Sequence, residues 1–370
     1  MRIDRVYLEN FRNYAAQTVT FHPACNVICG ENAQGKTNLL EALCCLSCAK
    51  SHRTRTDKEL IRFGAEGFVL QGEIFSRERE FVSRLEVRRG RRKAMSVNKV
   101  PAKTASELSA VLGTIFFSPE DLQLIRAGAA ERRRFLDASL SQLRPRYAAA
   151  LSEYQRLHEH KTRLLRDCAD RPDLLATLPD FNRRMAETGA VLIHYRARFT
   201  DLLARYAAAA HRECSGGKEE LTAVYRTVSA VTDPFAPHEV LREELLEHQR
   251  LHEAAEFSSR QCLSGPHKDD LEVFLGGLSA RSFASQGQTR TAALSLKLAA
   301  REIHRDITGE YPVLLLDDVL SELDPRRQEF VLNRLGSAQV FITCCEEDRL
   351  YALLSGKIFR VSGGVVKEQR

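Results

Sequence analysis

The sequence predicts an α/β fold in which a head is assembled from both ends of the chain and a mainly helical lobe is inserted between them. Three observations predict it. Near the N-terminus, Gly30-Glu31-Asn32-Ala33-Gln34-Gly35-Lys36-Thr37 lies between a β-like run, Asn26 to Cys29, and an apolar helix-like run, Leu39 to Leu46. Near the other end, Val313-Leu314-Leu315-Leu316 is a buried-strand run that stops on two carboxylates, Asp317 and Asp318. Between them, Glu131 to about Phe257 reads as helix: Tyr147, Leu151, Tyr154 and Leu157 recur at helical spacing, Pro172 and Pro179 punctuate a linker, Phe181 to Arg212 resumes, and Cys214-Ser215-Gly216-Gly217 breaks the pattern again.

The first stretch fits the phosphate-loop pattern. A nucleoside triphosphate needs backbone N–H groups pointing inward; Gly30 and Gly35 let the chain curl with no Cβ in the way, and the following helix presents its N-terminus. Lys36 is expected to reach the β- and γ-phosphates and Thr37 a magnesium ion. The second stretch supplies what such a loop lacks. A strand ending on Asp317 and Asp318 presents a Walker B acid at its C-terminal edge, with Asp317 in the ion's shell and Asp318 orienting the attacking water. Ser321-Glu322-Leu323-Asp324 follows where ABC-type ATPases carry the D-loop. Upstream, Ala284-Ser285-Gln286-Gly287-Gln288 is similar to their signature and precedes a helical run, Thr289 to Ile303, without Gly or Pro.

A serine, a small residue and a helix N-terminus together make an anion site. One nucleotide cannot occupy two anion sites of a single compact head unless a second chain brings one of them. In ABC-type ATPases the signature of one subunit closes over the P-loop nucleotide of the other, and the similarity implies an ATP-sandwiched homodimer. Taken alone, Ser285 to Gln288 also reads as a plain helix cap, and Asp317-Asp318 as the end of a strand. The order of the motifs favours the ATPase. A GTPase base reader is missing, because the one similar tetrad, Asn98-Lys99-Val100-Pro101, lacks the Asp, and kinase signatures are absent.

Several further segments are informative together: Leu8-Glu9-Asn10-Phe11-Arg12-Asn13-Tyr14, the loop with its continuation Asn38-Leu39-Leu40-Glu41-Ala42, Ser51-His52-Arg53 with Asp57, Phe117 to Leu122, Glu131 to Asp137, Gly265-Pro266-His267-Lys268-Asp269-Asp270, and Leu314 to Asp324. On these the chain resembles the RecF family of bacterial recombination mediators; Pro145 to Gln261 matches by length and helical character alone. The resemblance implies an ABC-type P-loop ATPase head that uses ATP and Mg2+, with nucleotide contacts from Arg12, Asn13, Gly30 to Asn38, Ser285, Gln286, Gly287, Gln288 and Asp324. It implies weak DNA-stimulated hydrolysis, binding of single- and double-stranded DNA at gaps and junctions, action with RecR and RecO in loading RecA, and a place in replication, repair and the SOS response. Two departures stand out. Ala127-Gly128-Ala129-Ala130 stands where relatives have Gly-Gly-Pro, and Thr343-Cys344-Cys345 ends a strand where transport-type ABC proteins place a switch His, which leaves the γ-phosphate sensor unassigned.

Composition sets the remaining bounds. A chain of 370 residues can bury a sizeable core; the motifs put the head at residues 1–115 and 262–370 and the helical lobe at 116–261. No signal peptide precedes the first strand and no apolar run nears membrane-spanning length, so a cytoplasmic protein without a membrane partner is expected, its ten cysteines reduced. Cys45-Leu46-Ser47-Cys48 lies on the helix after the loop with no second pair at zinc-site spacing. The net charge of +6 is modest, but Arg88-Arg89-Gly90-Arg91-Arg92-Lys93 follows the alternating run Phe81 to Val87 and reads as the basic tip of a β-hairpin. With Arg53 and Arg55 these cations are the candidate DNA contacts, a solvated turn being the other reading. Arg132-Arg133-Arg134 is read as intramolecular or lobe-joining. A scaffold whose nucleotide merely controls dimerisation is the alternative to a DNA-clamping ATPase.

Overall fold

A computed structural model describes residues 1–54, 56–168, 172–334, 338–345 and 356–369. The chain opens with β1 (Arg2–Phe11), β2 (Tyr14–Thr20), β3 (Cys25–Cys29), α1 (Lys36–Cys48), β4 (Gly67–Ser76), β5 (Arg79–Arg88), β6 (Ala94–Val97), β7 (Val100–Pro101), α2 (Ala105–Ser109) and β8 (Thr114–Phe117). The middle runs α3 (Ala129–Leu143), α4 (Pro145–Asp167), α5 (Leu178–Ser215), β9 (Leu221–Arg226), α6 (His238–Ser259), β10 (Asp270–Leu275), β11 (Leu278–Ser279), α7 (Ala280–Phe283) and α8 (Gln286–Thr308). It ends with β12 (Val313–Asp317), α9 (Pro325–Asn333), β13 (Val340–Cys344), β14 (Gly356–Ser362) and β15 (Val365–Gln369). Among the described residues no helix is long and apolar enough to cross a membrane.

Two compact units result, Met1–Leu122 with Lys297–Arg370 and Gln123–Leu296. In the first, one sheet has the order β2-β1-β4-β5-β6-β7 and the other β15-β14-β3-β13-β12-β8. The strand sequences explain the difference between the two. β4 buries every second residue, as a strand with one covered face must, whereas β3, β12 and β13 are buried at every position and pair in parallel, as strands covered on both faces do. Helix α1 packs against strands of both sheets. Its Leu39, Leu40, Leu43 and Leu46 share a core with Phe11, Phe68 and Leu70 of one sheet and Ile28, Leu315 and Phe341 of the other, each leucine contributing about 2 kcal/mol by burial. Gly72 admits Leu46: a Cβ there would lie 2.9 Å from the leucine Cδ1.

The second unit packs α5 against α4, α6 and β9, beside the sheet β11-β10-β9. Small and apolar residues on one face of α5, Ala186, Ala190, Ile193 and Ala197, meet Tyr225, Leu241 and Leu245. Helix α5 stops at Gly216 (φ 70), where Gly217 N–H donates back to the Arg212 carbonyl at 2.7 Å. The Gly265-to-Asp270 motif anchors this unit from within: buried Arg196 donates to Asp269 (3.0 Å), Asp137 (2.8 Å) and the Pro266 carbonyl (2.7 Å), and buried Arg132 pairs with both oxygens of Asp270 (2.7 and 2.8 Å). Two expectations change. The lobe read as mainly helical also holds a sheet, because Leu221, Ala223 and Tyr225 alternate with exposed residues and pair with β10. The segment expected to rejoin the head at 262 stays with the second unit to Leu296, since β10 finds its partner in β9; the division then falls inside α8.

Candidate functional site

Parallel pairing of β3, β12 and β13 brings their C-terminal ends to one edge, where α/β sheets bind ligands. The loop after β3 sits there, and its glycines are required. Gly30 has φ 151 and a Cβ on it would lie 2.4 Å from the Val361 carbonyl oxygen; Gly35 has φ 119 and its Cβ would meet the Asn13 amide at 2.6 Å. Ala33 also takes a left-handed conformation (φ 64). The turn is braced from outside: Asn13 Nδ2 donates to the Gln34 carbonyl (2.7 Å), Tyr14 OH to the Gly35 carbonyl (2.9 Å), Asn38 Nδ2 to Asn13 Oδ1 (2.9 Å) and Gly363 N–H to Gln34 Oε1 (2.7 Å). Glu31, Asn32 and Ala33 form the exposed crest. Lys36, only 6% exposed, directs its ammonium to the carbonyls of Gly30 and Glu31 (3.2 Å) and to Cys345 Sγ (3.5 Å), and Cys345 Sγ also reaches Asn32 Oδ1 (3.0 Å).

The acids meet the loop across the sheet edge. Thr37 Oγ1 donates to Asp317 Oδ1 at 3.0 Å and Thr343 Oγ1 to the same oxygen at 2.7 Å; Thr343 Oγ1 in turn accepts from Asp318 N–H at 2.9 Å. Burial pushes the Asp317 carboxyl above its ordinary range, and the bonds from Thr343 and Thr37 oppose the shift. A hydroxyl and a carboxylate oxygen so placed are hard oxygen donors of the kind Mg2+ takes. Asp318 holds φ 54, a strained conformation for a residue with a Cβ, and Ser321 Oγ donates to its backbone oxygen at 2.7 Å.

Three contributors escaped the sequence reading. Glu41, fully buried on α1, accepts both Arg12 Nε and Nη2 at 2.8 Å and stands 3.7 Å from Arg53, whose Nη1 donates to Asn38 Oδ1 at 3.0 Å. Burial alone would raise the Glu41 carboxyl, but the bonds from Arg12 and Ser51, with the charges of Arg12 and Arg53, hold it below its ordinary range. A lone carboxylate inside the apolar run Leu39 to Leu46 was the available signal. Thr343 and Cys345 are the other two; only their position at a strand end pointed to them. Arg12 and Asn13, expected at the nucleotide, are engaged in holding Glu41 and the loop.

The remaining expected residues are placed as follows. Ser285 and Gln288 form a reciprocal cap at the start of α8, Ser285 N–H donating to Gln288 Oε1 (2.7 Å) and Gln288 N–H to Ser285 Oγ (3.2 Å), and Gln288 Nε2 donates to Glu219 (2.7 Å). Gln286 is exposed and Gly287 half-buried beside them. Asp324 caps α9, accepting Arg327 N–H at 3.1 Å and pairing with the Arg327 side chain. The basic hairpin is present: Glu86 opposes Ala94 across β5 and β6, with the turn between. Its cations are not equivalent. Arg88 pairs with Glu86 (2.7 Å), Arg89 donates to the Ala65 carbonyl (3.2 Å), and Lys93 is held by Asp57 (2.9 Å) and the Ala49 carbonyl (2.7 Å). Lys93 is therefore a brace rather than a tip cation. Arg91 and Arg92 are exposed and have no ion pair among the described residues. Arg55 lies outside the described residues. Of the two readings of Arg132 to Arg134, the contacts are intramolecular and within their own unit: Arg133 donates to the Asp269 carbonyl and Arg134 pairs with Glu131.

One cluster outside this site has ligand-like spacing, since donor atoms of His158, Cys262 and His267 lie within 4.8 Å of one another. Both His267 nitrogens are already bonded, Nδ1 to Tyr154 OH (2.8 Å) and Nε2 to the Cys262 carbonyl (3.0 Å), and burial pushes the Cys262 thiol up to about 12. His267 and Cys262, whose Sγ also reaches the Ser264 carbonyl at 3.8 Å, are thus already engaged within the second unit, with His158 half-buried beside them.

Among known proteins, the RecF/RecN/SMC N terminal domain family matches residues 2–363. The DNA replication and repair protein RecF of Agathobacter rectalis is 39% identical over 369 residues, covering 99% of each chain, and that of Acetivibrio thermocellus is 37% identical, covering 94% of each. The solved recombination mediator protein RecF-ATP in the RecFOR pathway is 32% identical with a TM-score of 0.90, covering 100% of this chain and 97% of that one. The Smc head domain from Pyrococcus furiosus, 17% identical with a TM-score of 0.55 over 99% of this chain and 95% of that one, shares the fold. The fold is thus the α/β ABC-type ATPase head of RecF and SMC proteins, and with likeness running over nearly its whole length the chain belongs to the RecF family of DNA replication and repair proteins.

Proposed function

We propose that this chain is a DNA-binding ATPase of recombinational repair that works as an ATP-dependent homodimer in the cytoplasm. The observation that carries the reading is the convergence of Thr37, Asp317 and Thr343 beside a glycine-dependent loop whose lysine lies at its mouth. The backbone of Gly30 to Asn38 and the Lys36 ammonium would hold the triphosphate, Thr37 and Asp317 the Mg2+, and Asp318 would orient water for hydrolysis. When bound, Mg2+ supplies charge neutralisation at the phosphates. Thr343 positions both acids and takes the strand-end place that lacks a switch His. Arg12 and Asn13 act through Glu41 and the loop.

In this reading Ser285 to Gln288 of one copy, with Asp324 nearby in sequence to the acids, close on the ATP of the other. The dimer binds gapped DNA and single-strand/double-strand junctions through the hairpin cations and, with RecR and RecO, promotes RecA loading and the SOS response; hydrolysis releases it. Support comes from the relatives' designation as replication and repair proteins and from the ATP-bound relative of the RecFOR pathway. The test is ATP turnover by the full chain with and without a gapped duplex, together with footprinting in the presence and absence of ATP. Turnover raised by DNA and an ATP-dependent footprint are expected. Turnover indifferent to DNA, with no footprint, would leave only a nucleotide-controlled dimerisation scaffold.

A further inference from the structure

Four basic side chains that the ATP site does not use lie on packed helices of the second unit, α4, α5 and α6. His194 and Arg198 are one helical turn apart on α5 and so share a face. His238 is the first residue of α6, and its ring centroid lies 4.8 Å from that of His194. Arg146 is the second residue of α4, beside Tyr147, whose ring packs edge-on against Tyr195 at 5.9 Å and so sets the start of α4 against this part of α5. Arg146 and Arg198 are exposed and, among the described residues, neither has a carboxylate partner.

Like charges gathered in this way raise the energy of the unit unless something negative joins them. Burial and then the charge of Arg198 hold His194 below the ordinary imidazole range; burial and then Arg146 do the same for His238. Glu239, exposed at the start of α6, is an acid that acts on the His238 ring in the opposite sense. The His194 Nδ1 is buried with no hydrogen-bond partner among the described residues. Arg146 and His238 are thus first-turn residues of helices that have no side-chain cap.

We propose that Arg146, Arg198, His194 and His238 form a subsite for a backbone phosphate of DNA, adding a second contact to the hairpin on the DNA-binding reading given above. The phosphodiester is the occupant these groups fit. Two fixed guanidiniums hold an anion at any pH, and two imidazoles kept neutral by their neighbours gain protons once the phosphate compensates the repulsion. Binding DNA therefore takes up protons, and affinity increases as the solution becomes more acid.

The experiment uses the full chain with ATP, Mg2+ and a fluorescent gapped duplex. Between about pH 8 and about pH 6, wild-type affinity should rise toward about tenfold per pH unit for each proton taken up. Calorimetry in two buffers of different ionisation enthalpy should report that uptake directly. His194→Gln with His238→Gln should still bind DNA but lose the uptake. Arg146→Gln with Arg198→Gln, two exposed changes that leave the fold intact, should lower the slope of log affinity against log salt by about 0.9 for one lost phosphate while ATP affinity is unchanged. Undiminished proton uptake in the histidine variant, or an unchanged salt slope in the arginine variant, overturns the subsite and leaves the proposed function standing. A wild-type protein that binds no DNA overturns both.

Discussion

The Lys36 ammonium stands among the carbonyl oxygens of Gly30 and Glu31, so a substitution there removes charge without touching the core. Lys36→Ala should weaken ATP binding by about 100-fold, about 3 kcal/mol for a lost charge-assisted contact, and Lys36→Arg, with charge kept and reach changed, should bind and hydrolyse poorly. Titration calorimetry with ATP checks this, and wild-type affinity in Lys36→Ala would sink the loop's assignment. Glu41 is the residue on which the surroundings depend. Its carboxyl is held below the ordinary range in the fold, so it contributes stability that is present above its unfolded pKa and is lost as pH falls through the folded one. Glu41→Gln should cost about 3 kcal/mol near neutral pH by leaving Arg12 without its carboxylate, and the gap to wild type should narrow in acid. Thermal melts across pH measure it; a gap that stays constant from neutral to acid pH would show that the charge of Glu41 is not what matters.

At the scale of elements, the hairpin and the start of α8 carry the expectations. Since Arg88 and Lys93 are held in ion pairs and Arg89 is tied to the Ala65 carbonyl, Arg91 and Arg92 are the hairpin cations best placed to meet phosphate. Neutralising Arg88, Arg89, Arg91 and Arg92 together should reduce the salt slope of DNA binding by about 0.9 per lost contact, and Arg91→Gln with Arg92→Gln should account for most of that loss. ATP binding should survive in both. An unchanged slope would return the tip to a solvated turn. Ser285 caps α8 in its own chain, so a substitution that removes the capping oxygen costs about 1 kcal/mol of local stability. Beyond that, Ser285→Arg should leave ATP affinity of the isolated chain intact and prevent ATP from driving dimerisation. Light scattering with calorimetry separates the two, and an equal loss of nucleotide affinity would confine Ser285 to its capping role.

For the whole molecule, the decisive property is association. Asp317 shares its oxygen with Thr37 and Thr343, while Asp318 lies beyond them on a strained turn. Asp317→Asn should weaken Mg2+-dependent ATP binding. Asp318→Asn should keep binding, lose hydrolysis by about 100-fold or more, and accumulate an ATP-bound dimer. Sedimentation with ATP at micromolar protein is the measurement; a purely monomeric Asp318→Asn protein contradicts the sandwich.

The glycine loop and the strand ending on the two acids were legible because their geometry depends on consecutive residues. Gly30, Gly35, Lys36 and Thr37 act at fixed spacing between a strand and a helix, and Leu314 to Asp317 is a fully buried strand whatever its neighbours are. The helices of the second unit were legible for the same reason, since a 3.6-residue period is written locally. What stayed hidden depends on pairing across the chain. Arg12 meets Glu41 and Thr343 meets Asp317 only once the sheets have closed around α1. The pairing of β9 with β10, which keeps the signature segment in the second unit, joins Leu221 to Leu275 across an intervening helix. The sequence by itself determined the turn of the glycine loop and the buried strand that ends on Asp317, because backbone geometry and charge at fixed spacing are properties of a short segment. Only the tertiary structure decided which of the remaining charges are held internally and which face solvent, because a partner's distance depends on how remote segments pack.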